Sequence, residues 1–163
     1  MTGNMFLPDD KNDGLRFLPC TAADLDKILQ ASLEILDEVQ VEQALDLSLV
    51  RQLIIARARE EIADYTKLIK GDELIGWYHI IETPETIELD DVNIVEAFRS
   101  MGYGSRLLDR VLEEGRVKKK PVKVTVAGDN TGAVRFYERH GFRFVHKSEQ
   151  HHLCFIHDSH LER

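Results

Sequence analysis

The sequence predicts a mixed α/β (α+β) fold in a single domain, with a mostly antiparallel sheet flanked by helices. Three observations carry that expectation. The 163 residues are 43% hydrophobic and 31% charged, enough apolar material for one sizeable core and too little length for two domains. Apolar residues recur with period 2 in some stretches and at helical spacing in others, and the two kinds of stretch are interleaved along the chain. Between Tyr65 and Ile81, two strand-like runs flank Gly71–Asp72, a pair suited to a tight antiparallel hairpin.

Residues 1–14 are polar and end in glycine, which reads as a flexible N-terminal tail and leaves 15–163 as the domain. The run Leu15 to Pro19 is a short strand. Thr21 followed by Asp24 makes a capping-box-like helix start. Leu25, Ile28, Leu29, Leu36 and Val39 then recur at helical spacing, and a second helical pattern runs through Leu45, Leu49, Leu53 and Ile54 towards Ala63. After the hairpin comes a strand from Thr86 to Val95 whose alternation slips: Ile87 and Leu89 share one phase, Val92 and Ile94 the other. A period-2 pattern that loses step at Asp90–Asp91 predicts a β-bulge. Helix follows from about Gly102, with Leu107, Leu108, Val111 and Leu112 apolar and Gly115 expected at the C-cap. Val122 to Val126 alternates as a strand. A shorter helix is capped by Asn130 or Thr131 and stopped by Gly141, and the runs around Phe142–His146 and His152–His157 close the chain as two strands.

Composition narrows the function. No apolar run approaches 18 residues, so no membrane span is expected. The N-terminal stretch lacks a basic region followed by an apolar one, and the two cysteines, Cys20 and Cys154, cannot form a disulfide framework; both point to the cytoplasm. A net charge of −8 argues against nucleic-acid partners, and suits either solubility alone or a cationic, amine-bearing partner.

Two motifs carry chemistry. Arg99-x-x-Gly102-x-Gly104 stands just before an apolar helical pattern. Bare backbone at a helix N-terminus offers N–H groups without internal partners, and the helix dipole favours an anion there, so a phosphate or a pyrophosphate is the natural guest, with a plain structural turn as the alternative. Arg99 would add charge or fix the loop. Gly104 is followed by Ser105–Arg106 rather than Lys-Ser or Lys-Thr, so this is not a P-loop, and Leu107 stands where a dinucleotide fingerprint needs a third small residue. The second motif is Asn130-x-x-Ala133-x-x-Phe136-Tyr137-x-x-x-Gly141-Phe142, after the next strand.

Together, at this separation and in this element order, the two motifs resemble the GNAT family, the Gcn5-related N-acetyltransferases. The resemblance covers residues 65 to 156. It implies a single GNAT-fold domain whose central strand pair is splayed open, and acetyl-CoA as the acyl donor, with no metal. It places the pyrophosphate on Arg99, Ser100, Met101, Gly102, Tyr103, Gly104 and Ser105, and the acetyl and pantetheine groups on the backbone of Val92 and Ile94. Asn130 and Ala133 fall at the pantetheine arm, and Tyr137 matches the residue that protonates the departing thiolate in many members. Glu96 stands where many members have proline, which bears only on how the strand ends.

The implied reaction is acetyl transfer to a primary amine of a small molecule, peptide or protein. An alkylamine has a pKa near ~10.4 and must lose a proton before attack. Glu88 lies where histone-type members carry a base glutamate; Asp90 or Asp91, or water, are the alternatives, and a solvated carboxylate that only attracts a cation is the simplest reading of each. Tyr137 is either the acid or a core aromatic, and Phe136 is expected in the core. His140, His146, His151, His152, His157 and His160 match no zinc spacing and read as strand and tail residues, with His151 or His152 able to line an acceptor cleft. Cys154 is expected as a small buried residue, and Trp77 and His79 as packing on one strand face. Glu34, Asp37, Glu38, Glu42 and Asp46 make the segment between the first two helices acidic, which tilts the acceptor towards a cation. The chain is expected to act as a monomer or homodimer. A transferase for a bulkier acyl-CoA, and a CoA-binding module without turnover, are the competing readings.

Overall fold

The computed structural model describes residues 14–38, 47–158 and 161. The predicted tail, apart from Gly14, therefore lies outside the described residues, as do Val39, Leu45, Glu42, Asp46, His160 and the side chains of Glu34, Leu36, Asp37 and Glu38. The described elements are β1 (Leu15–Pro19), α1 (Leu25–Glu38), α2 (Leu47–Glu61), β2 (Tyr65–Lys70), β3 (Glu73–Glu82), β4 (Ile87–Ile94), α3 (Tyr103–Lys118), β5 (Val122–Ala127), α4 (Thr131–Arg139), β6 (Arg143–Lys147) and β7 (His152–His157). They form one seven-stranded sheet in the order β1-β2-β3-β4-β5-β7-β6, antiparallel at every step except β4–β5.

Two features of β4 shape the site. Its register on β3 jumps between His79↔Asp91 and Ile80↔Leu89, so Asp90 is the extra residue of a bulge. That is where the apolar phase slips in the sequence. On its other side β4 runs parallel to β5 only over Ile87↔Val122 to Leu89↔Val124, although both strands continue beyond. The two strands therefore splay apart from Asp90 onward, and a gap opens in mid-sheet.

The core lies on both faces. Leu107, Leu108, Val111 and Leu112 turn the buried side of α3 onto Leu68, Ile75, Tyr78, Ile87, Leu89, Val122 and Val124. Each such side chain contributes roughly 1.5–3 kcal/mol by leaving water. On the opposite face Ile28 of α1 packs with Cys20, Tyr65 and Trp77. Cys154, as expected, is buried.

Some expectations are corrected. α3 does not end at Gly115, which is buried within it. The helix closes three residues later with Lys119 at φ 57°, and the Lys119 and Lys120 amides donate to the Arg116 and Gly115 carbonyls. This is a Schellman end with a lysine in the left-handed position that glycine usually takes. In α2 the apolar periodicity marks the wrong side: Leu49 and Leu53 are exposed, while Ala58 is buried. Short-range capping was read correctly at Thr21, whose backbone N–H donates to Asp24 Oδ2 at 2.8 Å.

Candidate active site

The loop before α3 is built to leave donors open. Ser100 and Gly102 both have positive φ, 62° and 88°. For Gly102 this costs little, since it has no Cβ. No side chain among the described residues caps α3, so the first-turn amides of Tyr103, Gly104 and Ser105 point outward. Arg99 fixes the loop to the strand: its Nε donates to the Ile94 carbonyl at 2.8 Å and Nη2 to Asn93 Oδ1 at 3.4 Å. A pocket of about 350 Å³ opens here, lined by Arg99, Ser100, Gly102, Gly104, Ser105 and Arg139 among others.

Adjoining it, between β4 and α4, is a cavity of about 390 Å³. Val92, Ile94, Gly104, Ala133, Phe136 and Tyr137 lie on its walls. Of the adjacent aromatics, Tyr137 is the buried one, at 5% exposure. Phe136, expected in the core, is half-buried: it packs against the core cluster on one side and forms a cavity wall beside Gly104 on the other. His140 joins the two helices: Nδ1 bonds the Phe136 carbonyl at 2.7 Å and Nε2 lies 3.0 Å from Ser105 Oγ. A carbonyl only accepts, so Nδ1 carries the hydrogen and Nε2 accepts from the serine hydroxyl. Asn130 caps α4, its Oδ1 accepting from the Ala133 amide at 3.2 Å. That leaves its NH₂ group as a donor.

The bulge puts consecutive residues on one side of the sheet. Asp90 reaches α2 and His79; Asp91 reaches the Tyr65 hydroxyl at 3.3 Å. Burial, and next the charge of Asp90, raise the Asp91 pKa, against the pull of Tyr65, His79 and the Val92 amide. Asp90 is lowered, first by the hydrogen bond from His79 and also by Arg57. Burial, then the Asp91 charge, push Tyr137 up to about 12. A phenol on α4 and a carboxyl at the bulge thus feel each other across the splay.

The residues expected at the site divide in three. Val92, Ile94, Arg99, Gly104, Ala133 and Tyr137 line the cavity, and Ser100, Gly102 and Ser105 line the pocket beside it. Asn130 and Tyr103 line neither space: Asn130 caps α4, Tyr103 packs edge-on against Phe98, and Met101 is exposed. Glu88 is not brought to the cavity: its neighbour Leu89 is on the cavity wall, so Glu88, paired with Ile81 and Lys123, turns to the other face of β4. Asp90 is engaged by Arg57 at 2.6 Å and His79 at 2.9 Å, a poor state for a proton acceptor. The C-terminal histidines do not converge there: His157 is buried beside Phe142, and His146, His151 and His152 are exposed outside the cavity walls.

Sequence reading missed a polar cluster on the other side of the bulge. Arg57 bridges Glu61 and Asp90, and His79, only 3% exposed, stacks on Tyr65 with ring centroids 4.6 Å apart. One polar side-chain atom from each of Glu61, His79 and Asp90 lies within 4.8 Å of the others, with the guanidinium bonded to both carboxylates. Nothing local announces this cluster, since Arg57 and Asp90 are 33 residues apart.

A sequence profile of the acetyltransferase (GNAT) family matches residues 27–142. The chain is 35% identical over 89 residues to N-alpha-acetyltransferase 40 of Saccharomyces cerevisiae, covering 50% of this chain and 30% of the yeast protein. The aligned stretches span between 30% and 48% of the curated relatives it matches. Among solved structures, an N-acetyltransferase from Staphylococcus aureus superposes with a TM-score of 0.70 at 13% identity, over 87% of this chain and all of that one. Arabidopsis thaliana NAA60 in complex with acetyl-CoA gives 0.62 at 18% identity, over 88% and 98%.

Proposed function

Because the chain belongs to the acetyltransferase (GNAT) family, we propose that it is an N-acetyltransferase, passing an acetyl group from acetyl-CoA directly to a primary amine of a small molecule, peptide or protein. The observation that carries this reading is the splay of β4 from β5. Two adjoining spaces there bring open helix-terminal amides, suited to a pyrophosphate, alongside the Tyr137 phenol, and the Asp91 carboxyl at the bulge lies close enough behind it to raise that phenol's pKa. The acetyl-CoA complex of the Arabidopsis neighbour and the activity named for the yeast relative support the donor and the reaction class.

Acetyl-CoA supplies the thioester; the chain's residues orient it and move protons. Asp91 takes a proton from the acceptor's ammonium, and its raised pKa narrows the gap to the amine it must deprotonate. Glu88, on the same side of β4, is the alternative. A backbone N–H at the bulge polarises the carbonyl. As the C–N bond forms and the C–S bond breaks, the nitrogen loses its second proton and the sulfur gains one, relayed by the Tyr137 phenol. Ammonium and thioester thus give amide, thiol and one proton to solvent. With Glu61 and Asp90 matched by Arg57, the carboxylates of Glu88 and Asp91 on this side favour a cationic acceptor.

Thiol release from acetyl-CoA, measured against a panel of amines, tests this. Turnover with at least one amine is expected, and Asp91→Gln or Asp91→Asn should slow it by at least about tenfold near neutral pH, since a general base typically contributes 10²–10⁴-fold. The loss should shrink as pH rises and the amine deprotonates unaided. CoA binding without thiol release from any amine would instead mark a binding module, and turnover confined to longer acyl-CoA donors a different transferase.

A further inference from the structure

The two carboxylates of the bulge are neighbours in sequence and opposites in surroundings. Asp90 Oδ2 accepts from Arg57 Nη2 at 2.6 Å and from His79 Nδ1 at 2.9 Å. Asp91 Oδ2 has the Tyr65 hydroxyl at 3.3 Å, a longer and neutral contact. Arg57 is held in turn by Glu61, whose Oε2 lies 3.1 Å from its Nε. The guanidinium is thus fixed at the end of α2 nearest the bulge, pointing at one aspartate of the pair.

We propose that Arg57 is a positioning residue for the transfer: it neutralises Asp90, so that Asp91 alone meets the acceptor nitrogen. This rests on the reading of Asp91 as the base. Two bare carboxylates side by side would hold one proton between them and would grip a cationic amine in its protonated, unreactive form. The groups around the Asp90–Asp91 pair are Glu88 two positions before it on the strand, His79 on β3, Tyr65 on β2, Arg57 and, through it, Glu61 on α2, and Tyr137 on α4. Of these, Arg57 is the permanent cation, and its bond to Asp90 is the one that a single substitution removes without altering the wall of the cavity.

The test is a carbon-13 titration of the whole protein labelled at the aspartate carboxyls, with the Asp91 resonance assigned by its loss in Asp91→Asn. Arg57→Met should move the Asp91 midpoint up by about half a pH unit or more, the direction that a freed like charge imposes. Asp90→Asn alone should bring it below the wild-type value, Asp90→Asn added to Arg57→Met should bring it back to about that value, and Arg57→Lys should leave it nearly unmoved. In transfer assays Arg57→Met should lower both kcat and the KM of a cationic amine. An unmoved Asp91 midpoint in Arg57→Met, or a loss of kcat/KM that is equal at every pH and is not relieved by Asp90→Asn, would reduce Arg57 to a tether for α2 and overturn the proposal. A wild-type pH–rate profile in Asp91→Asn would overturn the base reading, a result that the titration does not depend on.

Discussion

Tyr137 shows how much one side chain's surroundings decide. Its ring packs edge-on against Phe136 and Phe142, each with centroids 5.3 Å away, and would count as core anywhere else. Its phenol, however, borders the cavity and holds its proton up to about 12, first because it is buried and then because Asp91 lies close. Such a group is a hydrogen-bond donor at every working pH. If, as proposed, it protonates the leaving sulfur, its contact is strongest when charge develops there, so removing the hydroxyl should spare binding and cost rate. In Tyr137→Phe, kcat should fall at least about tenfold, within the range of general-acid contributions, while acetyl-CoA affinity by calorimetry stays within about twofold. A wild-type kcat would leave Tyr137 with packing alone.

At the scale of elements, the start of α3 and the body of α4 make one unit. Gly104 sits where the two approach: a Cβ there would lie 3.6 Å and 3.7 Å from the Phe136 ring and 4.0 Å from Ile94, ordinary contact distances. The fold should therefore accept Gly104→Val, but the added branches enter the groove. Overpacking of this kind costs about 1–3 kcal/mol, or roughly five- to a hundredfold in acetyl-CoA affinity. Calorimetry on the variant, beside a thermal melt showing that it is folded, checks this; unchanged affinity would remove the loop from the binding site. These elements were legible in the sequence because their signals are local. Gly102 is the N-cap of the helix it opens and Gly104 stands in that helix's first turn, and Asn130 caps the helix that it precedes. The end of α3 was not legible, since a lysine took the left-handed position and the nearest glycine was spent inside the helix. Nor was the buried side of α2, where Leu49 and Leu53 are exposed and a polar tie, Arg57 to Asp90, joins the helix to the sheet.

Over the whole molecule, the β2–β3 hairpin and the bulge were legible, because the Gly71–Asp72 turn and the phase slip between Leu89 and Val92 are properties of residues close in sequence. The cluster of Arg57, Glu61, His79 and Asp90 is a property of three elements and has no such trace. The gap between β4 and β5 is likewise tertiary: it exists because their pairing stops at Leu89↔Val124, leaving a cavity in the middle of a sheet that is otherwise continuous. A ligand filling this gap binds only the folded chain, since the open amides of α3 and the walls from β4 and α4 converge nowhere else. By mass action, CoA at a hundred times its dissociation constant should add about 2.7 kcal/mol of stability. For a domain of this size that is worth roughly 5–10 °C in Tm. Differential scanning fluorimetry with CoA should show the rise in the wild type and a smaller one at the same CoA concentration in Gly104→Val, whose groove is narrowed. If CoA leaves the wild-type Tm where it was at concentrations that saturate it in calorimetry, the ligand is not held by the folded splay, and the groove between β4 and α4 loses its claim to be the site.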